Sequence, residues 1–176
     1  FDGVLTAVFT DQTSSIQNLG RVRISKTNGV AAQNKLTAAS SMTVDTLTVD
    51  SNNTFDLGTG GYTLDLRNNG VLANVFTANG TFTAGNGTVR YSAVNASGIV
   101  QVADVIYHSL RFSGAETYEL QASLTGSKTL TGNLSIDAAA ALNVSSGNYD
   151  IALLGNWSNS GTFSPGTGSV FFNGND

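Results

Sequence analysis

The stretch Gly80-Thr81-Phe82-Thr83-Ala84-Gly85-Asn86-Gly87-Thr88-Val89 returns as Gly161-Thr162-Phe163-Ser164-Pro165-Gly166-Thr167-Gly168-Ser169-Val170, at an offset of 81. Upstream, Leu47 through Leu66 aligns with Leu134 through Leu153 at an offset of 87, which places Asp50 on Asp137, Gly60 on Gly147 and Tyr62 on Tyr149. One insertion or deletion near Asn68 to Asn74 accounts for the difference. Self-similarity on this scale marks a chain of like units, each needing its neighbours to bury its apolar side. Two diverged copies, about 1–90 and 91–174, make up a single segment 1–176, and Phe1-Asp2-Gly3 resembles Phe172-Asn173-Gly174 as the start of a third.

Within the copies, apolar residues alternate with polar ones over short runs, as in Leu47-Thr48-Val49, Leu64-Asp65-Leu66, Val89-Arg90-Tyr91 and Leu134-Ser135-Ile136. That period of two belongs to strands. Asn-Gly and Gly-rich joints such as Asn79-Gly80, Asn86-Gly87 and Asn173-Gly174 separate them, where positive φ is cheap. With 40 Ser and Thr, 18 Asn and 20 Gly among 176 residues, the composition opposes helix. Ala138-Ala139-Ala140-Ala141 is too short to nucleate one and reads as a corner.

The apolar-x-apolar pairs begin at Val22, Leu47, Leu64, Val89, Leu110, Leu134, Ile151 and Val170, in steps of 25, 17, 25, 21, 24, 17 and 19. Such steps suit one turn of a β-solenoid, with two or three short strands and their corners. Stacked, the pairs predict one inward column through those residues and a second through Ile24, Val49, Leu66, Tyr91, Phe112, Ile136, Leu153 and Phe172. The residues between them, including Arg23, Asp65, Arg90, Arg111, Ala152 and Phe171, are expected to face solvent. Asp65 then lies one rung from Arg90 as an exposed pair worth at most about 1 kcal/mol, whereas each buried aliphatic contributes about 1.5–3 kcal/mol. The fold expected is all-β, a right-handed parallel β-helix; tandem β-sandwich modules are the alternative.

The runs Leu134-Ser-Ile-Asp, Ser146-Gly-Asn-Tyr-Asp-Ile, Gly155-Asn-Trp-Ser-Asn-Ser-Gly-Thr-Phe and Gly166-Thr-Gly-Ser-Val-Phe-Phe-Asn-Gly carry a family likeness. The chain resembles repeats of large bacterial extracellular proteins with parallel right-handed β-helix folds, among them surface adhesins, autotransporter-like stalks and fibre components. The resemblance covers about 46–66, 80–92 and most of 106–174, whereas the first 45 residues depart from it. It implies a bacterial, secreted or cell-surface setting and a role as spacer or contact surface, with glycans or a cell-surface receptor as further partners.

Few residues invite catalysis. His108 is the sole histidine and Cys is absent, so neither supplies a metal set, and a structural role is expected. Asp45, Asp50, Asp56 and Asp65 cluster in sequence near Arg67 and Arg90. Polysaccharide lyases built on β-helices hold Ca²⁺ with carboxylates on adjacent rungs while a base removes a proton. The second copy replaces Asp56 with Asn143 and Asp65 with Ala152, which favours a solvated polar face. Thr46/Thr48, Thr81/Thr83 and Thr129/Thr131 lack the uniform spacing of an ice-ordering ladder. Trp157, Phe76, Phe82 and Phe163 read as core or corner packing before a sugar platform.

A net charge of -4 offers no basic field for nucleic acid, and no apolar run is long enough to span a membrane as a helix. The reading is therefore a non-catalytic structural segment without cofactor or metal. Its partners are copies of itself or neighbouring repeats, stacked head to tail through Phe1, Asp2 and Gly3 at one end and Phe171, Phe172 and Asn173 at the other. A carbohydrate-binding or lyase-type β-helix is the alternative.

Overall fold

The computed structural model describes residues 6–26, 34–68, 70, 73–94 and 98–174. Among these residues every regular element is a strand of three or four residues, apart from one 3₁₀ turn at Gly126–Lys128. The strands form five parallel sheets, which by their succession along the chain group into three columns. Column one contains β1 (Ala7–Phe9), β3 (Lys35–Ala38), β6 (Thr54–Asp56) and β9 (Thr81–Thr83), and, further along, β16 (Ile151–Leu153) and β19 (Val170–Phe172). Column two runs β4 (Met42–Val44), β7 (Thr63–Leu66), β10 (Thr88–Tyr91), β12 (Ser109–Phe112), β14 (Leu134–Ile136) and β17 (Trp157–Asn159). Column three runs β2 (Arg21–Ile24), β5 (Thr46–Val49) and β8 (Phe76–Ala78), and then β11 (Val100–Val102), β13 (Thr117–Leu120), β15 (Ala141–Asn143) and β18 (Thr162–Ser164).

All strand pairs are parallel, and each joins strands two or three places apart in chain order. The bridge Asn74↔Gln101 links the two sheets of column three, and Leu124↔Ile151 and Leu130↔Leu153 extend the later sheet of column one. From β3 to β11 and again from β14 to β19 the strands take columns one, two and three in turn, whereas β11 to β15 alternate between columns three and two and only the bridged residues Leu124 and Leu130 stand for column one; the arrangement is compatible with a β-solenoid.

The expected single inward column is instead three pieces, one in each column. Val22 pairs with Leu47 in column three; Leu64, Val89, Leu110 and Leu134 follow one another in column two; Ile151 pairs with Val170 in column one. Both breaks fall at the shortest steps, from Leu47 to Leu64 and from Leu134 to Ile151. Leu47 is followed in its column by Phe76 and Leu134 by Trp157. From β5 the chain passes β6 and reaches β7, one strand short of a full return, and from β14 it passes β15 and reaches β16 in the same way. An apolar-x-apolar triplet carries no mark of which sheet it joins, so the shorter interval mimicked a turn. Two outward assignments also change: Asp65 and Ala152 are buried, at 4% and 3% exposure.

One continuous apolar cluster runs between the columns, from Ile24 and Leu47 through Leu64, Tyr91 and Phe112 to Leu142 and Leu153. Aromatic rings stack along it, Phe55 on Phe82 at 5.9 Å and Tyr91 on Phe112 at 5.8 Å between centroids. Glycine is required where the chain turns against the corner below. A Cβ on Gly80 would lie 2.3 Å from the carbonyl oxygens of Asp50 and Asn53, and one on Gly161 would lie 2.3 and 2.4 Å from those of Ala140 and Asp137. Asn52, Asn68 and Asn148 hold positive φ at other corners.

The recurrence of Gly80 as Gly161 extends to the pairing itself. β5·β8, β6·β9 and β7·β10 correspond to β14·β17, β15·β18 and β16·β19, with Leu47↔Phe76, Phe55↔Phe82 and Leu64↔Val89 matched by Leu134↔Trp157, Leu142↔Phe163 and Ile151↔Val170. The described strands of residues 1–45, whose register the sequence left open, follow suit: β1·β3, β3·β6 and β2·β5 correspond to β11·β13, β13·β15 and β12·β14. Arg23 holds Asp50 through Nε at 2.9 and 3.1 Å, and Arg111 holds Asp137 in the same way at 3.1 and 3.2 Å. Ser41 Oγ accepts the Thr63 N–H at 2.9 Å, and Ser123 Oγ accepts that of Asp150 at 3.0 Å. Corresponding strands do not share a column, however. β5 stands in column three and β14 in column two, so the repeat spans three circuits and two thirds of a fourth.

Candidate functional site

A stack of parallel strands has two unmated edges, and these carry the exposed apolar side chains that most need explanation. At the high-numbered edge, β19 pairs among the described residues on one side only, with β16. Phe171 and Phe172 are 46% and 66% exposed there. The Trp157 ring meets Phe163 at 5.0 Å and Phe172 at 6.2 Å, both edge-on, so β17, β18 and β19 contribute one aromatic cluster. Trp157, Phe163 and Val170 remain half-buried.

The corresponding residues of the first copy show the same cluster covered. Phe172 corresponds to Tyr91, Phe163 to Phe82 and Trp157 to Phe76, and those three are 0%, 9% and 4% exposed. The next circuit covers them: Phe112 and Tyr118 pack on Tyr91 at 5.8 and 6.1 Å, and Tyr107 approaches Phe82 at 6.5 Å. At the low-numbered edge, Val8, Ile16 and Leu19 are 63%, 54% and 41% exposed, and Val22 and Leu36 are half-buried. A small cavity of about 110 Å³ opens there between Ala7, Val22, Ile24 and Leu36.

The expected end residues Phe171, Phe172 and Asn173 therefore lie at an exposed edge. Phe1, Asp2 and Gly3 lie outside the described residues, and the described low-numbered edge is formed by β1, residues 10–20 and β2. Sequence reading placed neither Trp157 nor Phe163 in an end surface, although their alignment with the well-buried Phe76 and Phe82 was a usable signal.

The acids that cluster in sequence are dispersed by the fold. Asp45 accepts from Asn18 Nδ2 at 2.8 Å, Asp50 binds Arg23, Asp56 binds Lys35 and Asp65 binds Arg90. The Arg23 hydrogen bond, with help from Ser25, holds the Asp50 carboxyl below its ordinary range. Burial pushes Asp56 up, but Lys35 and the Gly58 N–H outweigh it and leave the carboxyl lowered. Asp65 is the exception to the expected solvated face. Its carboxylate accepts from Arg90 Nε at 2.9 Å, from Arg90 Nη2 and from the Ser92 hydroxyl, and Asp65 in turn raises the Arg90 guanidinium pKa. Among the described residues no three His, Cys, Asp or Glu side chains are grouped to hold a metal.

His108 Nδ1 lies 2.8 Å from Thr131 Oγ1, and its carbonyl accepts the Gly132 N–H at 2.8 Å, which ties one circuit to the next. Beside it, an open depression of about 500 Å³ separates β9 from residues 127–131, floored by Ile106 and Tyr107. Deeper, tyrosine hydroxyls satisfy corner backbone. Tyr91 Oη accepts the Ala103 N–H at 3.0 Å and lies 2.8 Å from Tyr107 Oη, which donates to the Ala103 carbonyl at 2.6 Å. Burial pushes the Tyr91 hydroxyl up to about 12 and raises Tyr107 and Tyr118 as well.

No family model, curated protein or solved structure matches the chain.

Proposed function

We propose that the three columns close around one axis as a right-handed, three-sided β-solenoid, and that the chain is a non-catalytic structural segment stacked end to end in a secreted or surface fibre of bacteria. Right-handed crossover is the rule for parallel strands joined across a sheet. The observation that carries the reading is the part-exposed aromatic cluster of Trp157, Phe163 and Phe172 at a sheet edge, when the equivalent Phe76, Phe82 and Tyr91 are buried. Covering such a cluster removes apolar surface at about 25 cal/mol per Å² and pairs an open strand edge. The pairing of each clustered acid with its own basic or amide partner favours this role over a lyase-type site.

Sedimentation velocity and negative-stain electron microscopy over a concentration series test it. Rods or oligomers that lengthen with concentration are expected, and Phe172→Asp abolishes them while leaving the β circular dichroism spectrum intact. A monodisperse single particle at every concentration overturns the assembly reading.

A further inference from the structure

The two open edges are the two halves of a junction that already exists, mated, in the middle of the chain. The first copy of the repeat ends at β10 and the second begins at β11. There β12 lies on β10, with Val89↔Leu110, Arg90↔Arg111 and Tyr91↔Phe112. β11 is bridged by Gln101 to Asn74, just ahead of β8. The intervening residues 103–108 cross β9 and bring Tyr107 to Phe82. By the correspondence of the copies, β17, β18 and β19 repeat β8, β9 and β10, while β1 and β2 repeat β11 and β12.

We propose that a second copy of this chain docks in that same register, its β2 on β19, its β1 on β17 and its residues 10–20 across β18. This rests on the assembly reading above and adds the partner strand and the rotation. Three observations on the two edges agree. Val22-Arg23-Ile24 in β2 has the apolar-Arg-apolar pattern of Leu110-Arg111-Phe112 in β12, and both arginines hold an aspartate of the following circuit. Val22 then meets Val170 and Ile24 meets Phe172, in place of Leu110 on Val89 and Phe112 on Tyr91. Ile16 and Leu19, which are exposed, belong to the segment that corresponds to the one supplying Tyr107.

The rotation follows from counting strands. β19 is the first strand of its circuit, so β17 and β18 are the last strands in their columns. Unrotated stacking, β1 on β19, leaves a strand-wide gap of about 4.8 Å over both of those columns. Turning the second copy by one column gives each column one strand at its edge. That displacement equals two successive steps of the internal repeat, so the repeat continues through the contact without a break.

The chain lacks cysteine, which permits a direct test by site-specific cross-linking. Phe171→Cys is mixed in turn with Arg23→Cys and with Val8→Cys, and each mixture is treated with a short bismaleimide. The rotated register places Phe171 opposite Arg23, so a covalent dimer is expected with Arg23→Cys, and its loss is expected when Phe172→Asp is added. A dimer with Val8→Cys alone overturns the rotation while leaving end-to-end assembly standing. Concentration-dependent oligomers with neither cross-link overturn the strand assignment. Single particles throughout overturn both this contact and the assembly reading beneath it.

Discussion

Asp65 stands directly below Arg90 in adjacent parallel strands, yet its side chain is 6% exposed where the arginine's is 37%. In the other ion pairs of the described residues the aspartate keeps more contact with water, as in Arg23–Asp50 at 71% and 20%. Burial changes what the Asp65 pair is worth. A carboxylate so enclosed is stabilised by its hydrogen bonds and costs heavily to leave unpaired.

Arg90→Ala strands the Asp65 charge and is expected to lower stability by about 1.5–3 kcal/mol. Asp65→Asn with Arg90→Ala together costs less than the sum of the two single changes. Arg23→Ala leaves the urea midpoint nearly unmoved, because its pair is open to solvent. Chemical denaturation of the four variants measures all of this.

The buried tyrosines give a dependence on alkaline pH. Tyr91 titrates at about 12 in the folded chain, against 10 for an ordinary tyrosine, because burial disfavours the phenolate. A raised folded pKa contributes stability that is complete below pH 10 and is lost as pH climbs through the folded value. The slope is about 1.4 kcal/mol per pH unit for each such group. Denaturant midpoints should therefore fall between pH 10 and 12, and Tyr91→Phe should flatten the fall while costing some stability at neutral pH through its lost hydrogen bonds.

Gly80 and Gly161 make the same prediction twice. Alanine at either position drives a methyl group into two carbonyl oxygens of the corner below and should destabilise by about 1–3 kcal/mol. Gly98, whose Cβ would meet nothing within 4 Å, tolerates alanine without loss. Thermal melts of the three variants separate close approach from a general effect of removing glycine.

If the aromatic edge drives assembly by apolar contact, association should persist at high salt, since exposed ion pairs are screened and buried rings are not. Trp157→Ser and Phe163→Ser should each weaken association, whereas Ile106→Ser, an exposed apolar change in the depression beside β9 in the middle of the chain, should not. Light scattering in a salt series reads both.

Strand character and the repeat were legible from Val, Leu and Thr in period two and from the recurring Gly-Thr-Phe run. The inward side of Leu64, Val89 and Leu110 followed from the same pattern. Column membership was not legible, because Leu47 and Leu64 look alike while one pairs with Phe76 and the other with Val89. The burial of Asp65 was hidden for a different reason: it depends on Arg90 and Ser92 folding over it from the next circuit. Residues 7–44 were obscure because their match to 100–131 keeps pairing partners more than letters; Arg23 and Arg111 are among the few identities.

A repeat of three and two-thirds circuits sets the direction in which any error of straightness accumulates. Were the repeat a whole number of circuits, every irregular corner would recur on one side, and a long stack would bow toward it. Each copy is shifted by one column, so in the proposed closed and stacked solenoid three copies in succession would distribute their irregularities evenly around the axis. A rod built in the proposed register would have no weak side, and a side chain displayed once per copy would point outward in three directions in turn.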